Sequence, residues 1–183
     1  MRSLKKNLKE EIQKSNKRIF FFDEARFGTH SKIGHGWFIK GSRTEVKVKL
    51  GFKNFYLYSA VEAASGSGFT LHLPYVNTEC MQIFLEEFAR EIGGEEIVII
   101  MDGAGWHKSK TLVIPPNIEI IYLPPYSPEL NPVERLWLYI KKAVLYNKIY
   151  DTLEELENIV ADFITNLDSH TIAKICNYGY MPG

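Results

Sequence analysis

Two uninterrupted apolar runs, Ile19-Phe20-Phe21-Phe22 and Ile97-Val98-Ile99-Ile100-Met101, each end on a carboxylate, Asp23 and Asp102. Continuous apolar runs of this length read as strands covered on both faces, so strands are expected over 18–23 and 97–102. Glu45-Val46-Lys47-Val48-Lys49-Leu50 alternates with period two, the pattern of a half-exposed strand with Lys47 and Lys49 on its outer face. Residues 55–63 and 69–76 read as two more strands joined through Ser65-Gly66-Ser67-Gly68, a hairpin connection by composition. A further strand is expected over 118–123. The period then changes to that of a helix at Met81, Phe84, Leu85, Phe88 and Ile92, between a cap at Asn77 or Thr78 and the stop Gly93-Gly94. It does so again at Val133, Leu136, Trp137, Ile140 and Val144, for a helix over 132–146. A last helix, 152–166, opens with Thr152 and Glu155 at capping-box spacing. Residues 4–17 carry only Leu4, Leu8 and Ile12 on one face, so a polar tether helix leaning on the domain is expected there.

Strands first, then strands alternating with helices, predict an α/β fold in which a mixed sheet is covered by helices. In such sheets, sites form beyond the carboxyl ends of the strands, which is where Asp23 and Asp102 fall. The 183 residues, 45% of them apolar, suit one domain with a core of its own. Cys80 and Cys176 have no partner spacing, and no HExxH, CxxC or paired-His pattern occurs; a reduced, cytoplasmic compartment is expected and a zinc site is not. Apolar runs of five to six residues exclude a membrane-spanning helix.

The net charge of zero argues at first against a nucleic-acid partner, because phosphate binding works through Lys and Arg. Its distribution weakens that objection. Residues 1–18 hold seven basic groups against Glu10 and Glu11, whereas 151–168 hold six acidic groups and no Lys or Arg. Lys40, Arg43, Lys47, Lys49 and Lys53 form a candidate phosphate track, with a solvated strand face as the rival account.

The third informative acid is Glu134, which follows Leu123-Pro124-Pro125-Tyr126-Ser127-Pro128 and opens a helix at Asn131-Pro132-Val133. Each acid has an ordinary explanation on its own. Asp23 starts a loop, Asp102 and Gly103 favour a turn, and Glu134 is third after the cap Asn131. One site accounts for all three placements together: carboxylates from separate elements around a hard cation that keeps several waters, as phosphoryl chemistry with two ions requires. Glu24 would point to the opposite strand face from Asp23 and is left out of the site. His107 is a candidate for DNA contact or proton transfer, with a surface loop position as its rival. Trp37 and Trp106 are candidates for stacking on bases, with partial burial as theirs.

Phe22-Asp23-Glu24, Gly36-Trp37-Phe38 with Lys40-Gly41-Ser42-Arg43, Met101-Asp102-Gly103-Ala104-Gly105-Trp106-His107 and the proline-rich segment through Glu134 resemble the catalytic domain of IS630-type transposases, in the wider Tc1/mariner group of DDE transposases. The resemblance runs over about 19–166. It implies an RNase H-like mixed five-stranded sheet flanked by helices, with an inserted β segment after the first strand. Implied too are Asp23, Asp102 and Glu134 as catalytic and metal-binding carboxylates, two Mg²⁺ or Mn²⁺ ions, and double-stranded DNA (transposon ends and target) as substrate, nucleoid-associated if the source is bacterial. Trp37, Lys40, Arg43, Lys47, Lys49, His107 and Lys108 are the candidate DNA contacts, and a homodimer is left open. Thirty-one residues separate Asp102 from Glu134, fewer than is usual in the family, and the shortfall is expected at 111–117, where a helix is usual. A tether over 1–17 and a catalytic domain over 18–183 are expected, with helix-turn-helix DNA recognition on a longer or separate chain. The rival readings are another RNase H-like metallonuclease, and a non-catalytic remnant that binds DNA or a partner transposase.

Overall fold

The computed structural model describes residues 16–29 and 53–177. Five strands form one sheet: β1 (Arg18–Gly28), β2 (Asn54–Val61), β3 (Gly68–Leu73), β4 (Ile97–Met101) and β5 (Ile118–Tyr122). Their order is β3-β2-β1-β4-β5. β1 pairs in parallel with β4, and β4 with β5, while β1, β2 and β3 run antiparallel to one another. The helices are α1 (Thr78–Glu91), α2 (Val133–Val144), α3 (Leu153–Thr165) and α4 (Ser169–Cys176).

β1 is longer than the apolar run predicts. Past Asp23 it still pairs with β2, from Asp23↔Ser59 to Gly28↔Asn54, whereas its pairing with β4 ends at Phe21↔Ile100. Beyond the run its side chains alternate, with Ala25 and Phe27 buried and Arg26 exposed, because one neighbouring strand has gone. Asp23 is therefore mid-strand, yet it stands at the carboxyl end of the parallel ladder.

Alternation splits the core in two. Phe21, Ala25 and Phe27 face Val133, Leu136, Trp137 and Ile140 of α2, with Leu156 of α3 and Cys176 of α4. Phe20 and Phe22 face Met81, Phe84, Leu85 and Phe88 of α1, and the Phe22 and Phe84 rings lie 4.8 Å apart. The sheet is thus buried between two helical layers, the arrangement that continuous apolar strands require.

The caps at Asn77 and Thr152 hold as expected: their side chains accept from Cys80 N (2.8 Å) and Glu155 N (3.0 Å). α4 lies beyond the last helix expected, capped by Asp168, whose Oδ1 accepts from Thr171 N at 2.9 Å. The β2–β3 turn places Gly66 at φ +74°, and a Cβ there would lie 1.8 Å from the Ser169 carbonyl oxygen, so only glycine fits against the start of α4. No helix lies between 111 and 117, where the short spacing places the shortfall. Among the described residues no helix is long and apolar enough to cross a membrane. Residues 1–15 of the tether expected over 1–17, the strand expected at 45–50, Trp37, Lys40, Arg43, Lys47 and Lys49 lie outside the described residues.

Candidate functional site

The parallel strands end at a cleft of about 370 Å³ whose lining includes Asp23, Asp102 and Glu134. Asp23 comes from β1, Asp102 follows the last residue of β4, and Glu134 lies in the first turn of α2. Lys108 also lines the cleft, and the proline-rich segment from Leu123 to Pro128 forms its wall. Within that wall Tyr126 is fully exposed, at φ +57°. The three acids named from sequence are thus brought to one place.

Asn131 sets the position of Glu134. Its side chain is buried; Nδ2 donates to the Phe22 carbonyl at 2.8 Å and Oδ1 accepts from Val133 N at 3.2 Å. One amide therefore caps the start of α2 and ties that start to the residue before Asp23. Helix and strand carry their carboxylates into the cleft as one unit.

The electrostatics disfavour a cluster of bare charges. Burial, and next the Glu134 carboxylate, then Glu24 and Asp102, push the Asp23 carboxyl well above its ordinary range, against a smaller opposing backbone hydrogen bond. A cation between the acids would reverse that shift. Among the described residues no three His, Cys, Asp or Glu side chains stand close enough to enclose a metal by themselves. Such closure is not needed by a hard cation that retains several waters and takes one or two carboxylates. The all-oxygen donor set of the cleft fits Mg²⁺ or Mn²⁺ better than a softer metal.

His107 corrects the sequence reading. It lies in a short 3₁₀ turn (Gly105–Lys108) and is only 2% exposed, so it is neither a surface loop residue nor available to touch DNA. Its Nε2 is 2.7 Å from Glu24 Oε1 and its Nδ1 is 2.8 Å from Asp102 Oδ1. Trp106 Nε1 also donates to Glu24 Oε1, at 3.0 Å. Glu24 does follow Phe22 on the strand face away from Asp23, as alternation requires, but the ring carries its influence round to Asp102. Alternation gives the strand face of Glu24 correctly, but no local spacing signals that its carboxylate meets the Trp106 and His107 side chains. Burial holds the His107 pKa down, but the Glu24 bond and charge, with Asp102 behind them, outweigh it and leave the net shift upward. Lys108 is exposed, its Nζ 4.7 Å from the centre of the Tyr122 ring. Arg18, counted above in the basic end, is engaged by Glu62 (3.0 Å) and Glu95 (3.1 Å).

A mixed sheet between helical layers, with its acids at the ends of neighbouring parallel strands, defines the RNase H-like class. The fold matches that of the Mos1 mariner paired end complex with Mn at TM-score 0.73 and 17% identity, over 95% of this chain and 56% of that one. It matches the catalytic domain of Mos1 mariner transposase at TM-score 0.61 and 16% identity, over 95% of this chain and 83% of that one. The chain belongs to the DDE superfamily endonuclease family, whose sequence profile matches residues 18–157. It is 42% identical over 102 residues to the uncharacterized protein y4pE/y4sA of Sinorhizobium fredii (strain NBRC 101917 / NGR234), covering 55% of this chain and 76% of that protein. It is 25% identical over 170 residues to the insertion element IS630 uncharacterized 39 kDa protein of Shigella sonnei, covering 86% of this chain and 49% of that protein. The chain thus spans about half the length of the IS630 protein and of the Mos1 chain in its paired end complex.

Proposed function

We propose that this chain is the catalytic domain of an IS630-type DNA transposase, which cuts phosphodiester bonds at transposon ends and joins the freed 3′-OH to target DNA. The observation that carries the reading is the convergence of Asp23, Asp102 and Glu134, from three separate elements, on one cleft in a chain of this family. Asp23, Asp102 and Glu134 would hold Mg²⁺ or Mn²⁺. When bound, such ions activate the attacking oxygen and steady the leaving oxygen of an in-line displacement at phosphorus.

The chain's own residues supply the geometry. Asn131 fixes the start of α2 against β1, so Glu134 and Asp23 keep their relation as DNA enters. Asp102 Oδ1 accepts from Ala104 N at 3.1 Å as well as facing His107, which fixes the carboxylate's rotation. Lys108 places a positive charge in the cleft, where a scissile phosphate would lie. The proline-rich wall is stiffened at Pro124, Pro125 and Pro128, each with a fixed φ, and offers the exposed Tyr126 ring to the substrate. Terminal-repeat recognition is assigned to a helix-turn-helix module on a longer or separate chain.

The test is nicking of supercoiled plasmid by the purified chain with Mn²⁺, alongside excision in cells with the full-length transposase context. Wild type should nick and excise, and Asp23→Asn, Asp102→Asn and Glu134→Gln should each do neither while remaining folded. Wild-type excision by Glu134→Gln would reduce that residue to a helix cap and end the three-carboxylate reading.

A further inference from the structure

We infer that Glu24 and His107 form a buried brace that positions the Asp102 carboxylate for cation binding, so that His107 is a positioning residue of the cleft and not a DNA contact. The inference rests on the reading of Asp102 as a metal ligand.

The geometry is a chain of contacts running from the buried layer to the cleft. Glu24 Oε1 faces both Trp106 Nε1 (3.0 Å) and His107 Nε2 (2.7 Å). The opposite ring nitrogen, Nδ1, faces Asp102 Oδ1 at 2.8 Å and the Asp102 carbonyl at 3.1 Å. The Phe22 ring packs edge-on against the imidazole at 5.6 Å, and Tyr122 Oη donates to the His107 carbonyl at 2.7 Å. Ring and main chain of His107 are thus held independently, one from β1 and one from β5.

The exposures separate support from function. The His107 and Glu24 side chains are 1% and 8% exposed, whereas that of Asp102 is 61% exposed. A polar pair buried only for stability gains little over an apolar pair of the same volume. Here the buried pair ends on an exposed carboxylate in the cleft. Ala104 N donates to Asp102 Oδ1, and His107 Nδ1, hydrogen-bonded to the Asp102 carbonyl, stands 2.8 Å from that same Oδ1 as an ion-pair contact, so Oδ2 is the oxygen offered to a cation. Partners of this kind orient metal ligands, and their removal typically weakens metal binding by about 10–100-fold.

Two substitutions distinguish orientation from mere packing. In His107→Asn the amide nitrogen can take the place of Nδ1 and still reach Asp102; in His107→Gln it takes the place of Nε2 and reaches Glu24 instead. Mn²⁺ titration of the intact chain by calorimetry, without DNA, should show affinity about 10–100-fold weaker for His107→Gln, and within a few-fold of wild type for His107→Asn. Equal weakening in both would make His107 a packing residue, and wild-type affinity in both would remove the brace. Asp102→Asn is the separate control: if it binds Mn²⁺ as wild type does, the reading of Asp102 as a ligand has failed, whatever His107 does. Should His107→Gln not fold, nitrogen NMR of the wild type under Mg²⁺ titration decides. The His107 ring signals should move and saturate with metal, and ring signals that stay fixed while Asp102 responds would overturn the brace.

Discussion

Replacing Asn131 with alanine removes both ends of the tie between α2 and β1, and the cost can be built from its two bonds. Loss of a capping side chain costs about 1 kcal/mol, here the acceptor for Val133 N at 3.2 Å. Loss of the buried donor to the Phe22 carbonyl, 2.8 Å away at a side chain only 3% exposed, costs about 1–3 kcal/mol more. The sum, about 2–4 kcal/mol, corresponds to a melting point lower by about 4–16 °C for a domain of this size. Asn131→Asp keeps the acceptor for Val133 but sets a carboxylate against the Phe22 carbonyl, so at neutral pH it should be no more stable than the alanine variant. Asn117→Ala is the control: its Nδ2 reaches the Glu95 carbonyl at 3.1 Å on an exposed surface, and its loss should cost under about 1 kcal/mol. Urea unfolding of the three variants against wild type, in chelator, measures all of this. If Asn131→Ala unfolds within 1 kcal/mol of wild type, the amide is not what holds the two carboxylate-bearing elements together.

In chelator at neutral pH, Asp23→Asn should melt at or above wild type. The raised Asp23 pKa means that the folded chain holds the proton more tightly than the unfolded one, so wild-type stability falls as pH rises from about 4 through the folded-state value. The advantage of the variant should close below about pH 4, and a variant less stable than wild type across pH 4–8 refutes the assignment. Adding Mn²⁺ at a hundredfold excess over its dissociation constant should stabilise wild type by about 2.7 kcal/mol but Asp23→Asn much less; thermal melts read both. Gel shifts with duplex DNA should show weak binding, without preference for transposon ends and lost steeply with salt. Sequence-specific retention in competition with unrelated DNA would contradict a separate recognition module.

Much of this architecture is legible in the chain because its strongest signals are local. The run 97–101 is short, mostly β-branched and bounded by Gly93-Gly94 and Asp102-Gly103, which favours a strand covered on both sides, and the stripe through Leu136, Trp137 and Ile140 has the period of a packed helix face. The end of β1 is not legible, since Glu24 to Phe27 belong to a strand only through pairing with β2. α4 is eight residues long, too short for its period to stand out, although Asp168 and Thr171 carry a cap signal that could have found it. The three cleft acids are visible because apolar runs and a proline-rich segment point straight at them. Glu24 and His107 are not, because a buried polar pair is created by tertiary packing: nothing in local spacing tells that residues 24 and 107 meet.

The parallel pairing of β1 with β4 has a consequence for when the cleft comes into being. Arg18 meets Ile97 across roughly eighty intervening residues, a closure whose entropy must be overcome before the contact is rewarded. The acids at 23, 102 and 134 then meet only after the first hairpins, α1 and the proline-rich segment have all been synthesised. During translation the chain passes through a long interval in which β1 and β2 can pair while β4 is still inside the ribosome. A nascent or truncated chain ending before residue 134 therefore carries no assembled acidic cleft, and the capacity to engage a cation arrives late and at once, with the closing of the sheet.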